Sequence, residues 1–431
     1  MTTYKYIHNP SIVQNDCLKQ VNVLIQGDRI IKISEIEIED LPLRTEIIEA
    51  KGLILLPGII DTHVHFRQPG LESKADMQSE SKAAIAGGVT TVFDMPNTAP
   101  PTTSLQTLLD KLLLAKENML CNYKFYLGIT NNNLEEALQI DPNLICGYKI
   151  YLGSSTGDML VDKKQAIEGL FERSNLVITA HCEDEKRIRQ NTALYKEKYP
   201  NNDAPPSIHP LVRDAEACFL STQFAINLAK NKTHLNIAHI TSEKELSLLQ
   251  KGKVNTKHIT AEVSPIHLWF EDKDFERLGN KIKCNPSIKT SKDREALRKA
   301  LREDKIDFVA TDHAPHLLLE KEKPYFQAPS GIPSIQFSLP IMLELVKQGE
   351  LTLSQLQEKM CENPATYFGL EGRGFVKEGY YADLVLVDLN NGFEVKQENI
   401  LSKCKWSPFE GVVFSSKVIS TFVNGQILYR D

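Results

Sequence analysis

Between residues 53 and 312 the chain repeats one theme eight times: a short apolar, β-branched run, then a stretch with helical spacing. The runs are LILLPGII (53–60), TTVFDM (90–95), YKFYLGI (123–129), YKIYL (148–152), NLVITA (175–180), LNIAHI (235–240), HITAEV (258–263) and IDFVAT (306–311). Helical spacing is found at Ser73–Ala86, Ser104–Asn118, Leu134–Ile140, Lys163–Arg173, Arg213–Lys230, Ser242–Gln250 and Ser291–Arg302. Strands that alternate with helices imply a parallel sheet with crossover helices, and eight strands is the number that closes a barrel. An open doubly wound sheet is the other solution, but the chain has no G-x-G-x-x-G turn to signal one.

The two ends depart from this theme. VNVLIQGDRIIKISEIEIED (21–40), YADLVLVDL (381–389) and GVVFSSKVISTFVNGQILYRD (411–431) alternate apolar and polar residues, with turn signals such as Asn424-Gly425. Such alternation reads as small antiparallel strands. The fold expected is therefore α/β: a (β/α)8 TIM barrel over 53–369, with a small β-sandwich domain built from 1–52 and 370–431. A length of 431 residues accommodates both.

Composition narrows the partners. Lys plus Arg is 50 against 56 Asp plus Glu, a formal charge of −6, which argues against nucleic acid or an anionic membrane surface. The opening MTTYKYIHNP has no basic-then-apolar leader pattern, and no apolar run is long enough to span a bilayer. Eight cysteines are scattered without a CxxC pair, which reads as reduced thiols in a cytoplasmic protein. A small-molecule substrate and, on base rates, a homodimer are the partners expected.

The chemistry lies at the strand ends. In 57-PGIIDTHVHFRQPG-70, His63 and His65 stand two apart just past a buried strand, so both imidazoles point one way. That suits a metal ion, although two histidines in a polar loop would look the same. Strand four contains Lys149, strand five ends in His181, strand six carries His239, and strand eight ends in Asp312. The C-terminal ends of barrel strands form the mouth, so all of these groups can face one cavity. Cys182, beside His181, reads as a small strand-end residue facing away. Two divalent ions would bring four positive charges against one from Asp312. A buried lysine amine can take up carbon dioxide as an anionic carbamate, although Lys149 paired with an acid is the alternative.

The stretches 61-DTHVHFRQPG-70, 95-MPNT-98, 148-YKIYLGSSTG-157, 180-AHCED-184, 238-AHIT-241, 311-TDHAPH-316 and 407-SPFEG-411 closely resemble the dihydroorotase family of the amidohydrolase superfamily, over essentially the whole chain. The resemblance implies two Zn2+ per chain. His63, His65 and Asp312 would hold the first and His181 and His239 the second, with carboxylated Lys149 and a hydroxide as bridges. Many bacterial relatives carry an aspartate ligand just after strand four. Here 153-GSSTG-157 has none at its start and Asp158 comes late, which supports Lys149 as the bridge.

The resemblance also gives Arg67, Asn97 and His316 the ring carboxylate of dihydroorotate, a task suited to a bidentate guanidinium. Asn285 (284-CNPSI-288), Ser330 and Gly331 (328-APSGI-332) match positions that contact the ring, and His313 would act behind them. The implied activity is reversible cyclisation of N-carbamoyl-L-aspartate to (S)-dihydroorotate in pyrimidine (UMP) biosynthesis, with Asp312 as the proton carrier. A dihydropyrimidinase or hydantoinase is the neighbouring alternative, and Arg67 discriminates, because uncharged rings need no cation. A non-catalytic scaffold would be expected to lose a metal ligand, and none is missing here. The polar stretch 153–157, with Thr156, has the composition of either a lid or a plain connector.

Overall fold

The computed structural model describes residues 3–153, 159–229 and 233–431. The stretch around Thr156 and Asp158, and the end of the helix expected to reach Lys230, lie outside them. Eight parallel strands run in sequence order around one sheet. They are β1 (Ile59–Val64), β2 (Val89–Asp94), β3 (Asn122–Gly128), β4 (Gly147–Tyr151), β5 (Ile178–His181), β6 (Leu235–Ile237), β7 (Ile259–Val263) and β8 (Phe308–Val309). The ring closes where Val64 bridges His313 and the His65 N–H donates to the His313 carbonyl at 2.8 Å.

Strict alternation sorts each strand into two faces. Tyr148 and Ile150 of β4, Ile178 and Ala180 of β5, and Ala261 and Val263 of β7 join the main apolar core outside the barrel. Their neighbours Lys149, Thr179, Thr260 and Glu262 therefore point into the barrel. The interior is polar and connected: Tyr126 Oη donates to the Thr62 carbonyl at 3.2 Å, Thr260 to Asn236 at 3.2 Å, and Asn236 to Glu262 at 3.0 Å. Buried polar groups are tolerated when bonded in this way.

The outer helices start where side chains cap them. Asp76 accepts from the Ser79 N–H before Met77–Ala86, Ser104 from Thr107 before Leu105–Asn118, and Asp214 from Ala217 before Ala215–Leu228. Two expectations are corrected. Ser242–Gln250 is a single 3-10 turn at Glu245–Leu248, because the Glu245 carboxylate turns inward to bond Ser242 Oγ at 2.8 Å and the Thr241 and Ser242 N–H groups. Glu185–Lys198, not foreseen, is a helix capped by Asp184.

The apolar run 53–60 also divides. Ile54–Pro57 leaves the barrel and joins a six-stranded sheet, between Leu384–Asp388 and Ser11–Gln14. A four-stranded sheet from the first fifty residues packs on it, and Ile7, Val23, Ile25, Leu55, Leu384, Leu386 and Phe422 share one core. The alternate residues Ile54, Leu56, Val385 and Val387 face the main core instead. The last hairpin turns at Asn424 (φ 48°) and Gly425 (φ 73°), the left-handed pair that such a two-residue turn requires.

Gly58 is the joint between sheet and barrel. A Cβ there would lie 2.2 Å from Thr90 Oγ1 and 2.8 Å from Thr90 Cβ. Gly58→Ala is expected to cost about 1–3 kcal/mol by overpacking, read as a fall in Tm. An unchanged Tm would mean that the joint has slack.

Candidate metal centre

A bulge in β1 builds one side of the site. The pairing of β1 with β2 slips between Asp61 and Val64, so an extra residue enters the strand there. Thr62 reaches inward toward Glu262 (3.4 Å), and His63 faces the interior as well. His239, just past β6, does the same by another route. Its φ of 37° breaks the alternation and turns the imidazole inward, while Ile240 returns to the main core. Asp312 (φ 50°) and Arg67 (φ 68°) are also left-handed. Non-glycine residues in this region carry backbone strain of about 1–3 kcal/mol each, and such residues concentrate at functional sites.

Neighbouring side chains fix which ring atoms face the cavity. His63 Nδ1–H donates to Glu262 Oε1 at 2.5 Å, and His65 Nδ1–H donates to Asn97 Oδ1 at 2.6 Å. Both Nε2 atoms are then left as lone pairs. They approach Asp312 Oδ1 at 3.3 Å and 3.0 Å. Three acceptors converge with no hydrogen between them, an arrangement that repels itself unless a cation stands among them. These three residues form the candidate metal group among the described residues, their donor atoms all within 4.8 Å of one another. The donor set, two imidazoles and a carboxylate, is one that divalent transition metals accept.

His181 and His239 form the other side. His181 Nε2–H donates to Glu183 Oε2 at 2.9 Å, which turns its Nδ1 lone pair toward His239 Nε2, 2.9 Å away. Glu183 is in turn paired with Arg213. The rings converge, with centroids 5.3 Å apart for His63–His239 and 4.7 Å for His181–His239. Lys149 lies beneath them, 0 % exposed, and its Nζ has no hydrogen-bond partner among the described residues.

Burial dominates the electrostatics. It drives Lys149 below the usual lysine range, against the pull of Glu262 and Asp312. It depresses His63, His65 and His239 likewise, which keeps these imidazoles neutral and able to ligate. Burial also opposes ionisation of Asp312. Positive charge at the His63 and His65 nitrogens that face it, a proton or a metal ion in its place, outweighs burial and holds the carboxyl down at about 2.

A cavity of about 310 Å³ opens over these groups. Arg67, Asn97, Asn285, Ser330 and Gly331 line it together with His63, His65, His181, His239 and Asp312. His316 stands behind Arg67 and is not part of the lining. Its Nδ1 accepts from Lys74 Nζ at 3.0 Å, and its Nε2 meets both the Ser330 carbonyl at 3.0 Å, to which it donates, and Arg67 Nη2 at 3.1 Å. Arg67 Nε donates to the Pro315 carbonyl at 3.0 Å. His313 turns away from the cavity, bonding Glu80 at 2.8 Å and accepting from Ser334 N–H at 3.0 Å. Cys182 also lies aside, its thiol pushed up to about 12 by burial.

Glu262, Glu183 and Arg213 were not foreseen. The first had a signal, a lone acid on an inward position of an apolar strand. The Glu183–Arg213 pair joins a strand end to the segment before a helix, a contact that spacing does not reveal.

The pattern of the Amidohydrolase family matches residues 54–428. The dihydroorotase of Methanosarcina acetivorans is 33% identical over 444 aligned residues, covering 99% of this chain and 92% of that protein. The dihydroorotase of Staphylococcus epidermidis is 32% identical, covering 99% of each. Among solved structures, the L-hydantoinase (dihydropyrimidinase) of Arthrobacter aurescens superposes with a TM-score of 0.93 at 26% identity, over 100% of this chain and 96% of that one.

Proposed function

The chain belongs to the amidohydrolase family and, within it, to the dihydroorotases, and we propose that it interconverts (S)-dihydroorotate and N-carbamoyl-L-aspartate at the cavity between His63 and Gly331. The observation that carries this reading is the pairing of two features in one cavity: the acceptor triangle of His63, His65 and Asp312, and the buried guanidinium of Arg67. Zinc is the metal proposed, two ions per chain. His63, His65 and Asp312 would hold one and His181 and His239 the other, and Lys149, as its carbamate, would supply a further anionic donor. When bound, the metal acidifies the attacking water and polarises the ring amide carbonyl.

The remaining roles belong to side chains. In hydrolysis, a C–O bond forms at the ring amide carbon and the C–N bond breaks. Asp312, ionised at neutral pH, takes the water's proton on its carboxylate and delivers it to the departing ring nitrogen. Cyclisation retraces the path. Glu262 and Asn97 keep His63 and His65 in one tautomer. Arg67 meets the ring carboxylate with Asn97 beside it, His316 backs Arg67 and Ser330 from outside the cavity, and Asn285, Ser330 and Gly331 border the ring.

The hydantoinase alternative lacks a use for Arg67. The chain is also less similar to the L-hydantoinase, at 26% identity, than to the dihydroorotases at 33% and 32%. Steady-state turnover of dihydroorotate and of dihydrouracil by the purified protein tests the reading. Strong preference for dihydroorotate is expected, and preference for the uncharged ring would move the function to a hydantoinase. Arg67→Ala is expected to raise KM for dihydroorotate by about 100-fold, the worth of a buried charge-assisted pair. An equal effect on an uncharged hydantoin would sink the carboxylate clamp.

A further inference from the structure

We propose that Lys321 is the positioning residue of the anion end of this cavity: its ammonium gathers the backbone carbonyls of the segment carrying Ser330 and Gly331 and leaves a net positive charge beside Arg67. The inference rests on the reading of Arg67 as the partner of the ring carboxylate.

Lys321 closes the short helix Leu318–Lys321 and is 2 % exposed. Its Nζ donates to the carbonyls of Lys283, Pro329 and Gly331, each at 2.9 Å. Three acceptors match the three hydrogens of an ammonium, whereas a neutral amine has only two. Burial draws Lys321 down to about 7, yet three carbonyl partners favour the charged form, and we read it as an ammonium. Among the described residues no carboxylate pairs with it; the neighbouring Glu320 pairs with Lys74 instead.

The segment is held from every side. The Ser330 carbonyl accepts from His316, so three consecutive carbonyls, 329 to 331, end on nitrogen donors. The Gly331 N–H donates to the Lys283 carbonyl at 2.9 Å. Lys283 Nζ donates to the carbonyls of Tyr325 and Ala328, both at 2.6 Å. Gly331 has φ +144°, and a Cβ there would lie 2.5 Å from the Ala314 carbonyl oxygen. Carbonyl dipoles left without a donor would oppose a carboxylate entering beside Arg67. Lys321 occupies them and leaves its own charge uncancelled in a low-dielectric site.

The test compares wild type, Lys321→Met and Lys321→Arg by steady-state kinetics with dihydroorotate, together with Tm. Lys321→Met is expected to raise KM by about tenfold or more while kcat stays within about threefold, and Lys321→Arg, which keeps charge and donors, to restore KM to within about threefold. A fall of kcat and Tm together with KM unchanged would overturn the inference and leave a merely structural lysine. So would a Lys321→Arg enzyme no better than Lys321→Met. A wild-type enzyme without activity on dihydroorotate would overturn the functional reading itself, and with it this one, from the wild-type arm alone.

Discussion

Asp312→Asn is expected to lower kcat by about 10⁴-fold, the upper end of what a positioned proton carrier supplies, while the protein folds and keeps metal at its His63–His65 side. The substitution is nearly isosteric and retains one carbonyl-type oxygen, so the triangle with His63 and His65 persists in shape. What it removes is the ability to take a proton. It also removes the negative charge that faces two imidazole lone pairs. A weakened metal site is the side effect to control, so metal content is measured on the same preparation. A variant with full metal and wild-type kcat would show that another group carries the proton. Full metal with a collapsed kcat and an unchanged KM is the signature of a step confined to the transition state.

The barrel was legible because its signal is repeated. Eight apolar runs with turns between them leave few topologies, and alternation within each run assigns inward and outward faces. Lys149 illustrates how far that carries, and Glu262, a charged residue at the same kind of inward position, went unforeseen. The candidate metal-ligating residues stand out because they sit at strand ends, where barrel geometry gathers groups far apart in sequence. What alternation could not foresee is the route by which two of them reach the mouth. The bulge before His63 and the left-handed His239 put their imidazoles in the mouth by violating the period of two, and a period cannot announce its own exception. The split of the run 53–60 was hidden for a related reason. Ile54–Pro57 packs against apolar cores on both faces, so it reads like a barrel strand although it belongs to the other sheet. His316 was placed by resemblance at the carboxylate. The structure puts it one layer back, where its ring orders Ser330 rather than lining the cavity.

Removing the amine of Lys149 gives the second large effect. Lys149→Ala is expected to lose metal and to lower kcat/KM by about 10³-fold or more, since it takes away the further anionic donor proposed for the metal site. The physical case begins with isolation. A buried lysine without a partner is expensive, and none of the nearby acids is free to serve it: Glu262 accepts from His63 and Asn236, and Asp312 faces His63 and His65. A depressed pKa supplies the neutral amine that carbon dioxide requires, and the carbamate converts a misplaced cation into the anion that a site of four imidazoles lacks. Two readouts separate this from a simple packing role. Wild-type protein reloaded with zinc in carbon-13 bicarbonate should show one carbamate carbon per chain, absent from Lys149→Ala. A short carboxylic acid, small enough for the space left by the side chain, should partly restore both metal content and turnover to Lys149→Ala. A variant that kept its metal and its rate would mean that the lysine lies beneath the site without taking part in it.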